Sequence, residues 1–171
     1  MRQVILFIAT SLDGYIARTD GGIDWLFTDQ DYGYAAFSAG IDTVIMGRKT
    51  YEKSLSFGGF PYTGKECYVF TRNPNRGSDD RVVFLEDDPA ELVRRLRSTE
   101  GKNIWLVGGA DLIRDFVLKD LIDTYVVSIH PIILGAGIPL FQSPLPSHHL
   151  VLHDTTTFNS GLVQLTYTRK R

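Results

Sequence analysis

Two junctions in this sequence join a buried apolar run to the start of a helical pattern through glycine. Residues 105–107 are apolar without polar alternation, which is typical of a strand buried on both faces. Gly108 and Gly109 follow at once, and residues 43–46 lead into Gly47 in the same way. Such glycines leave backbone N–H groups exposed at a helix N-terminus, which predicts a phosphate or pyrophosphate site. The competing interpretation is a tight packing turn, because one glycine pair is less specific than a full dinucleotide-binding fingerprint.

Bulk composition narrows the classes of partner that we expect. A length of 171 residues fits one domain spanning residues 1–171, and 43% hydrophobic with 22% charged residues allows a sizeable core and an ordinary surface. The formal net charge is −2, and no basic cluster extends beyond residues 169–171. We therefore expect a small-molecule substrate, and neither nucleic acid nor a membrane as partner.

Cysteine and histidine usage predicts neither a disulfide nor a metal ion. The single cysteine, Cys67, excludes an intramolecular disulfide and a cysteine-rich metal site, and its apolar neighbours predict a core thiol. The apolar run at residues 4–9 is too short to cross a membrane, and the turn after it does not resemble a signal-peptide cleavage site. These features predict a cytoplasmic protein. Surface or packing roles without metal-ligand spacing are expected for the histidines, which are His130, His148, His149 and His153.

The order of the predicted elements indicates an α/β fold. Apolar strands alternate with helical patterns through most of the chain, and two alternating segments at residues 149–157 and 162–169 form a late hairpin. This order predicts a largely parallel sheet with helices on both faces and an antiparallel end. Ligands of such sheets bind beyond the carboxyl ends of the strands. Polar or glycine-containing turns follow four predicted strand ends, at Ala9, Met46, Phe70 and Val107.

Several connecting segments are predicted near that edge of the sheet. Residues 20–26 form a long glycine-rich loop that contains Trp25, which favours a binding loop over a plain connector. Residues 29–39 are weakly helical, with acidic residues at the start. Residues 130–141 form an apolar loop broken by glycine and proline, and residues 72–75 form a turn.

Five segments together resemble the dihydrofolate reductase-like superfamily, and within it the branch that shares the reductase domain of bacterial riboflavin biosynthesis. They span nearly the whole chain in the expected order, and as a set they are specific. The resemblance implies a Rossmann-like, mixed and mostly parallel sheet of eight strands, with NADPH as cofactor. The segments are residues 9–17 (ATSLDGYIA), 24–26 (DWL), 45–52 (IMGRKTYE), 107–110 (VGGA) and 131–141 (PIILGAGIPLF).

The resemblance also implies which residues of this sequence contact the cofactor. Residues 47–50 would hold its phosphates at a helix start, residues 71–72 would lie near the adenosine 2′-phosphate, and residues 108–110 would meet the pyrophosphate and nicotinamide side. Arginine and helix N–H groups are suitable donors to phosphate, although a surface role such as a salt bridge is the alternative for Arg48 and for Arg72, which lies in a turn. The implied cofactor contacts are Ala9, Gly47, Arg48, Lys49, Thr50, Thr71, Arg72, Gly108, Gly109 and Ala110.

The resemblance further implies one carboxylate at the start of the first helix that binds substrate and assists its protonation. Counting back from the second glycine junction gives Asp31, whereas counting forward from Trp25 gives Gln30, between Asp29 and Asp31. We favour Asp31, with a plain helix N-terminal acid as the alternative. Asp13 and Trp25 are also expected to bind the substrate. Asp13 would face it, with an Asp-Gly turn as the alternative, and Trp25 would cover the mouth of the pocket, with a packing anchor as the alternative.

Taken together, the resemblance implies an NADPH-dependent oxidoreductase. It would transfer hydride to a C=N or C=O carbon of a small heterocycle, as in 5-amino-6-(5-phosphoribosylamino)uracil reductase. A dihydrofolate or pterin reductase of unassigned substrate is one alternative. A non-catalytic NADP(H)-binding module is the other, since the position of the acid is ambiguous. The apolar residues 132–141 and the late hairpin predict a homodimer, which the relatives also form.

Overall fold

The computed structural model describes residues 1–73 and 77–170, so the predicted turn at residues 72–75 and the end of the basic run at residues 169–171 lie partly outside the described residues. The strands are β1 Val4–Ser11, β2 Tyr15–Ala17, β3 Ile41–Gly47, β4 Glu66–Phe70, β5 Val83–Leu85, β6 Asn103–Gly108, β7 Thr124–His130, β8 Ile138–Pro139, β9 Leu150–Thr157 and β10 Val163–Arg169. The helices are α1 Tyr34–Ala39, α2 Arg48–Leu55, α3 Pro89–Arg97 and α4 Ala110–Leu118. Within the described ranges, no helix has the length and apolarity needed to span a membrane.

Eight of the strands form one mixed sheet, in the order β5-β4-β3-β6-β1-β7-β10-β9. The six strands from β5 to β7 are parallel to their neighbours, whereas β10 runs antiparallel to both β7 and β9. The helices connect successive parallel strands, as parallel crossovers require. The predicted α/β fold, with its eight-stranded, mostly parallel sheet and antiparallel C-terminal hairpin, is confirmed.

Helices cover both faces of the parallel part of the sheet. On one face Leu92 of α3 and Phe116 of α4 pack in one core cluster. On the other face Tyr51 of α2 and Phe37 of α1 belong to a second cluster around Trp105. Burying a side chain such as Phe116 contributes about 1.5–3 kcal/mol. The two clusters therefore fix the central strands. The carboxyl ends of these strands form one edge of the sheet.

The central strand β1 separates from its neighbour β6 halfway along its length. The two strands pair only from Val4–Leu6 to Ile104–Leu106. Beyond that point β1 continues to pair with β7 as far as Ser11, and β6 follows β3 as far as Gly108. Since each strand keeps its outer neighbour, a cleft opens between the carboxyl halves of β1 and β6.

Helix α1 is shorter than the sequence predicts. The expected helix at residues 29–39 begins only at Tyr34. Tyr32 and Gly33 have φ angles of 52° and 81°, in the left-handed region that interrupts a right-handed helix. Both carboxylate oxygens of Asp31 accept a hydrogen bond from the Ala35 N–H, at 3.1 and 3.2 Å. The prediction for the first five residues was therefore wrong, and these residues form turns.

A small second sheet pairs β2 with β8, and the sequence did not predict it. Strands of two or three residues are too short to show a periodicity of their own. Gly137 is required beside this sheet because a Cβ atom there would lie 2.3 Å from the Ala17 carbonyl oxygen. We call residues 12–24 and 131–141, which this pairing joins, the flap. The predicted loop at residues 130–141 is thus held against β2, which follows the turn after β1.

Candidate active site

Two helix N-termini face each other at the carboxyl edge of the sheet. Gly47 precedes α2 and Gly109 precedes α4, and neither helix has a side-chain cap. A Cβ atom at Gly47 would lie 3.8 Å from the Gly109 nitrogen. By contrast, α3 is capped by Asp88, whose carboxylate accepts from the Ala90 N–H at 2.8 Å. Uncapped N-termini carry partial positive charge, so this edge suits an anion.

The Gly108–Gly109 peptide, which is cis, lies against the start of α2. Gly108 has a φ of 124°, a conformation that L side chains rarely adopt. A Cβ atom at Gly109 would approach the Thr50 hydroxyl to 3.2 Å. The structure therefore brings together four of the predicted cofactor residues in one glycine-lined cradle, namely Gly47, Thr50, Gly108 and Gly109. Ala110 is the first residue of α4 beside them.

Arg48 lies at the rim of this cradle. Its guanidinium donates to Glu52 at 2.6 Å and lies 5.2 Å from the centre of the Phe84 ring. The surface salt bridge that was the alternative for Arg48 is thus present, although a partly exposed i,i+4 pair contributes only about 0.3–0.5 kcal/mol. The neighbouring Lys49 is exposed. An incoming phosphate group can therefore compete for both side chains.

Thr71 and Arg72 follow β4 on the same edge. Thr71 is buried, its N–H donates to the Leu85 carbonyl at 2.9 Å, and its hydroxyl accepts from the Asn73 N–H at 3.1 Å. Arg72 is exposed to solvent. Thr71 and Arg72 therefore lie at the carboxyl end of β4, and their contact with an adenosine 2′-phosphate stays a prediction.

An ion network that the sequence did not predict supports α2 beside this edge. Asp79 accepts a short hydrogen bond from the Tyr51 hydroxyl, and the Arg81 guanidinium donates to it at 2.7 and 2.8 Å. The hydrogen bonds from Arg81 and Tyr51 hold the pKa of Asp79 well below its usual range. The Arg81 backbone N–H also donates to Asp79, at 2.9 Å. The sequence carries one local sign of this network. Aspartate commonly accepts a hydrogen bond from the backbone N–H two residues later, so the spacing of Asp79 and Arg81 is typical of a turn.

Asp13 fastens the flap and does not present a free carboxylate to a substrate. It accepts from the Ser11 hydroxyl at 2.6 Å, from the Leu134 N–H at 3.1 Å and from the Gly135 N–H at 2.8 Å. The Ser11 hydroxyl, with some opposition from desolvation and further help from these N–H groups, lowers the pKa of Asp13. The structure thus agrees with the turn interpretation of Asp13 and adds a long-range contact to it.

Trp25 is a buried side chain, not an exposed cover. Only 7% of it is exposed, and its ring meets the His130 ring edge-on at 5.1 Å. Its indole N–H has no hydrogen-bond partner among the described residues. Such a buried donor costs about 1–3 kcal/mol. The packing-anchor interpretation of Trp25 describes this arrangement.

The two candidate acids at the start of α1 are both exposed. Asp31 accepts from the Ala35 N–H, as a helix N-terminal acid does, and Asp29 accepts from the Tyr32 hydroxyl at 2.7 Å. The segment that carries them lies against the sheet, because the Gln164 amide donates to the Tyr32 carbonyl at 3.3 Å. The local structure places both acids on the same segment and does not select one of them.

A row of residues that includes polar side chains crosses the sheet next to that segment. Ala9 pairs with Ser128, and Ser128 pairs with Gln164, so the three residues lie side by side on β1, β7 and β10. Gln164 also donates to the Ser128 hydroxyl at 2.9 Å. Sequence reasoning missed both polar residues, since a polar residue inside an alternating strand carries no local signal of a site.

Two surface cavities lie away from this edge. One of about 480 Å³ is lined by residues that include Arg2, Asp42 and Arg95, and another of about 570 Å³ lies beside Asp88 and α3. The Arg2 side chain is fully engaged with the Lys102 carbonyl, Asp42 and Thr43, so it fastens the amino ends of the strands. Across residues 1–73 and 77–170, no three His, Cys, Asp or Glu side chains cluster as metal ligands would. We therefore assign the site by its chemistry, at the glycine cradle.

Comparison with known proteins identifies the family of the chain. The model of the RibD C-terminal domain matches residues 60–164. The chain is 43% identical over 172 residues to the uncharacterised protein YwjB of Bacillus subtilis (strain 168), covering 98% of each. A candidate riboflavin biosynthesis protein from Shewanella sp. PV-4 superposes with a TM-score of 0.86 at 34% identity, covering 99% of both chains.

A more distant solved structure shares the fold. It is the diaminohydroxyphosphoribosylaminopyrimidine deaminase/5-amino-6-(5-phosphoribosylamino)uracil reductase of Thermotoga maritima, with a TM-score of 0.78 at 15% identity. The match covers 99% of this chain and 57% of that one. The fold and the glycine cradle define a reductase-like domain of the dihydrofolate reductase-like superfamily. Within that superfamily, the chain belongs to the RibD C-terminal domain family.

Proposed function

We propose that the protein is an NADPH-dependent reductase of a small heterocyclic substrate. The observation that carries the proposal is the pair of uncapped, glycine-preceded helix N-termini that face each other at Gly47 and Gly109. Backbone N–H groups in this arrangement suit a pyrophosphate, and a side chain at Gly47 would fill the space between them. Membership of a family of reductase-like domains supports the same choice.

The residues present fit NADPH. Residues 47–50 and 108–110 would hold its phosphates, with the Arg48 fork moving from Glu52 to phosphate. Thr71 and Arg72 would lie at the adenosine 2′-phosphate, where the exposed Arg72 supplies charge. The cleft between β1 and β6 would take the nicotinamide beside Ala9. Bound NADPH supplies the hydride, and the protein supplies orientation and electrostatics.

The substrate would lie over the Ala9–Ser128–Gln164 row, next to the segment that carries Asp29 and Asp31. This row carries a hydroxyl and an amide side by side, which suits a flat heterocycle with several N–H and C=O groups. A ribosylamino-pyrimidine phosphate or a pterin has that chemistry. Asp31 remains the proposed acid that assists protonation, whereas Asp13 and Trp25 would shape the pocket through the flap and the buried loop.

Binding of NADPH tests the cofactor part of the proposal. We expect calorimetry to show one NADPH site, and replacing Arg48 with alanine to weaken it about 10- to 100-fold, since a hydrogen bond to a charged group contributes about 1.5–3 kcal/mol. Arg94→Ala is the matched control, because Arg94 also pairs with a helix glutamate but lies on α3. Failure of NADPH to bind the wild-type protein would contradict the proposal.

Turnover separates the reductase from a non-catalytic NADP(H)-binding module. We expect NADPH oxidation with 5-amino-6-(5-phosphoribosylamino)uracil or with a dihydropterin, and Asp31→Asn to lower kcat/KM about 100-fold or more, as loss of a general acid does. Asp29→Asn is the matched control on the same segment. Tight NADPH binding without oxidation of either substrate would favour the binding module.

The exposed edge of the sheet supports the proposed homodimer. Leu150, Val151 and Leu152 are exposed on β9, whose outer side has no neighbouring strand in the sheet. Ile133 and Phe141 of the flap are exposed as well. Apolar residues grouped in this way are typical of association surfaces. Light scattering at micromolar concentration is expected to give the mass of two chains, and a monomer would remove this part of the proposal.

The single cysteine suits the reducing cytoplasm, which is the proposed compartment.

A further inference from the structure

Residues 25–33, which we call the acidic segment, are fastened to the sheet at two points. His130, at the end of β7, accepts at Nε2 from the Phe27 N–H at 3.2 Å. The His130 ring also packs against the rings of Trp25 and Phe27, with centroids 5.1 and 4.9 Å away. At the far end of the segment, Gln164 donates to the Tyr32 carbonyl. One imidazole thus makes most of the contacts that hold the start of this segment.

The hydrogen bonds of His130 require its neutral form. Nδ1 lies 3.2 Å from the Ser128 carbonyl oxygen, which can only accept, so Nδ1 carries the proton. Nε2 then carries the lone pair that accepts from the Phe27 N–H. A second proton on Nε2 would place two donors face to face. Protonation therefore replaces an attractive contact with a repulsive one at Phe27.

Burial disfavours a second proton on His130, and the carboxylates on the neighbouring elements are engaged by other groups. The side chain is 4% exposed, and burial lowers its pKa, with partial opposition from the carbonyl groups of Ser128 and Thr10. The carboxylates on the neighbouring elements each have a nearer partner. Asp13 accepts from Ser11, Asp24 from Arg18, Asp29 from Tyr32 and Asp31 from the Ala35 N–H.

We propose that neutral His130 is a positioning residue that holds the start of the acidic segment, at Trp25 and Phe27, against the sheet, and that protonation of its imidazole releases this start. In that state the segment keeps its fastening at Tyr32 but loses the one at Phe27, so the placement of Asp29 and Asp31 beside the Ala9–Ser128–Gln164 row is loosened. The consequence for catalysis rests on the proposed function. The release itself does not, because it depends only on contacts between Trp25, Phe27 and His130.

The experiment follows the full-length protein by NMR as the pH is lowered from 8 to 5. We expect the His130 ring resonances to titrate below the ordinary histidine value of about 6.5. The Phe27 amide and the Trp25 indole N–H are expected to shift with the same midpoint. Exchange of the Phe27 amide, corrected for the intrinsic effect of pH, is expected to become at least about tenfold faster, since loss of one hydrogen bond releases it. Unchanged Phe27 and Trp25 signals while His130 titrates would overturn the proposal.

Variants distinguish positioning from a general loss of structure. In His130→Gln the amide oxygen can still accept from Phe27 but does not titrate, so the segment is expected to stay protected at both pH values. His130→Ala is expected to lose that protection at every pH. His153→Gln, on the exposed edge strand β9, is the matched control. In this variant the Phe27 amide should respond to pH as it does in the wild type. A pH-dependent release that persists in His130→Gln would contradict the proposal.

Measuring NADPH binding across the same pH range separates this inference from the proposed function. We expect the NADPH affinity of the wild type to change through the His130 titration by less than about twofold more than that of His130→Gln. The described contacts of the His130 side chain are with Thr10, Trp25, Phe27 and Ser128, and none of these residues belongs to the cradle. Absence of NADPH binding at any pH would refute the proposed function. The coupled shifts of Phe27 and His130 would still decide whether the imidazole holds the segment.

Discussion

The two halves of the proposed site are built in different ways. The cofactor half, at the carboxyl ends of β3, β4 and β6, is built mainly from backbone: two uncapped helix starts and glycines that leave space, with Arg48 and Arg72 beside them. The substrate half, formed by the flap, the acidic segment and the ends of β1, β7 and β10, depends on side chains that join distant parts of the chain. Asp13 fastens Leu134, His130 fastens Phe27, and Gln164 fastens Tyr32 across 121, 103 and 132 residues respectively.

This difference in construction gives the two halves different roles, one in binding phosphate and the other in setting substrate specificity. A cradle of backbone N–H groups binds phosphate whatever the rest of the ligand is, and the arginines at its rim add charge. Side-chain fastenings instead set the shape of a pocket and can change one residue at a time. We infer that the cofactor half is the fixed part of the site and that the substrate half carries its specificity. Substitutions in each half should therefore affect different measurements.

Among the three substitutions that test this difference, the largest effect is expected from Gly47→Ala, which would close the cradle. Gly47 has φ −81° and ψ 162°, which alanine adopts without strain, and its Cβ atom would stand 3.8 Å from the Gly109 nitrogen. We expect Gly47→Ala to weaken NADPH binding about 10- to 100-fold, through loss of one or two hydrogen bonds to phosphate. The free energy of unfolding should fall by about 1 kcal/mol or less, because alanine replaces glycine before a helix.

Calorimetry with NADPH and thermal unfolding check this expectation together. Gly59→Ala is the matched control, because a Cβ atom at Gly59 meets no atom within 4 Å. Wild-type affinity in Gly47→Ala would show that the cradle is a packing turn, and the contrast between the two halves would fail.

An intermediate effect is expected from overfilling the flap. A Cβ atom at Gly137 would lie 2.3 Å from the Ala17 carbonyl oxygen, which belongs to the backbone and cannot turn aside. We expect Gly137→Ala to lower the free energy of unfolding by about 2 kcal/mol, as overpacking does. The resulting fall in Tm is roughly 4–8 °C for a chain of this size. NADPH affinity should stay within about twofold, and a parallel loss of affinity would show that the two halves are not independent.

The smallest effect is expected at Asp13 and depends on pH. Its folded-state pKa lies below the ordinary aspartate value, first because of the Ser11 hydroxyl. The carboxylate therefore stabilises the fold above the ordinary value of about 4 and loses that contribution as the pH falls through the lower folded value. We expect Asp13→Asn to lower Tm at pH 7, and the difference from wild type to narrow towards pH 3. Asp80→Asn, an exposed aspartate, should show no such difference. A constant gap at all pH values would exclude the titration as its cause.

The sequence predicts the cofactor half better than the substrate half for a physical reason. Glycine after an apolar run is a local pattern, so Gly47 and Gly108 could be found without the fold. His130 was expected to have a packing or surface role, but its partners Trp25 and Phe27 lie about a hundred residues away. Gln164 gave no signal at all.

Local backbone geometry set a second limit. The start of α1 was misplaced because Tyr32 adopts a positive φ, which its residue type does not suggest. The pairing of β2 with β8 was missed because the strands are too short to show a pattern. The mostly parallel sheet was predictable because its central strands are apolar and most of them are separated by helices, whereas the number of eight strands came from the resemblance.

The fastenings also set the order in which the protein can form during synthesis. Residues 41–118 contain β3, β4, β6 and three of the helices, so the elements of the cofactor half are complete before β7 leaves the ribosome. Until then β1 lacks its partner on one side, and an unpaired strand is prone to aggregation. His130, Leu134 and Gln164 arrive last, and such non-local contacts form slowly. The C-terminal segment therefore completes the pocket and ends the period in which the nascent chain is most vulnerable.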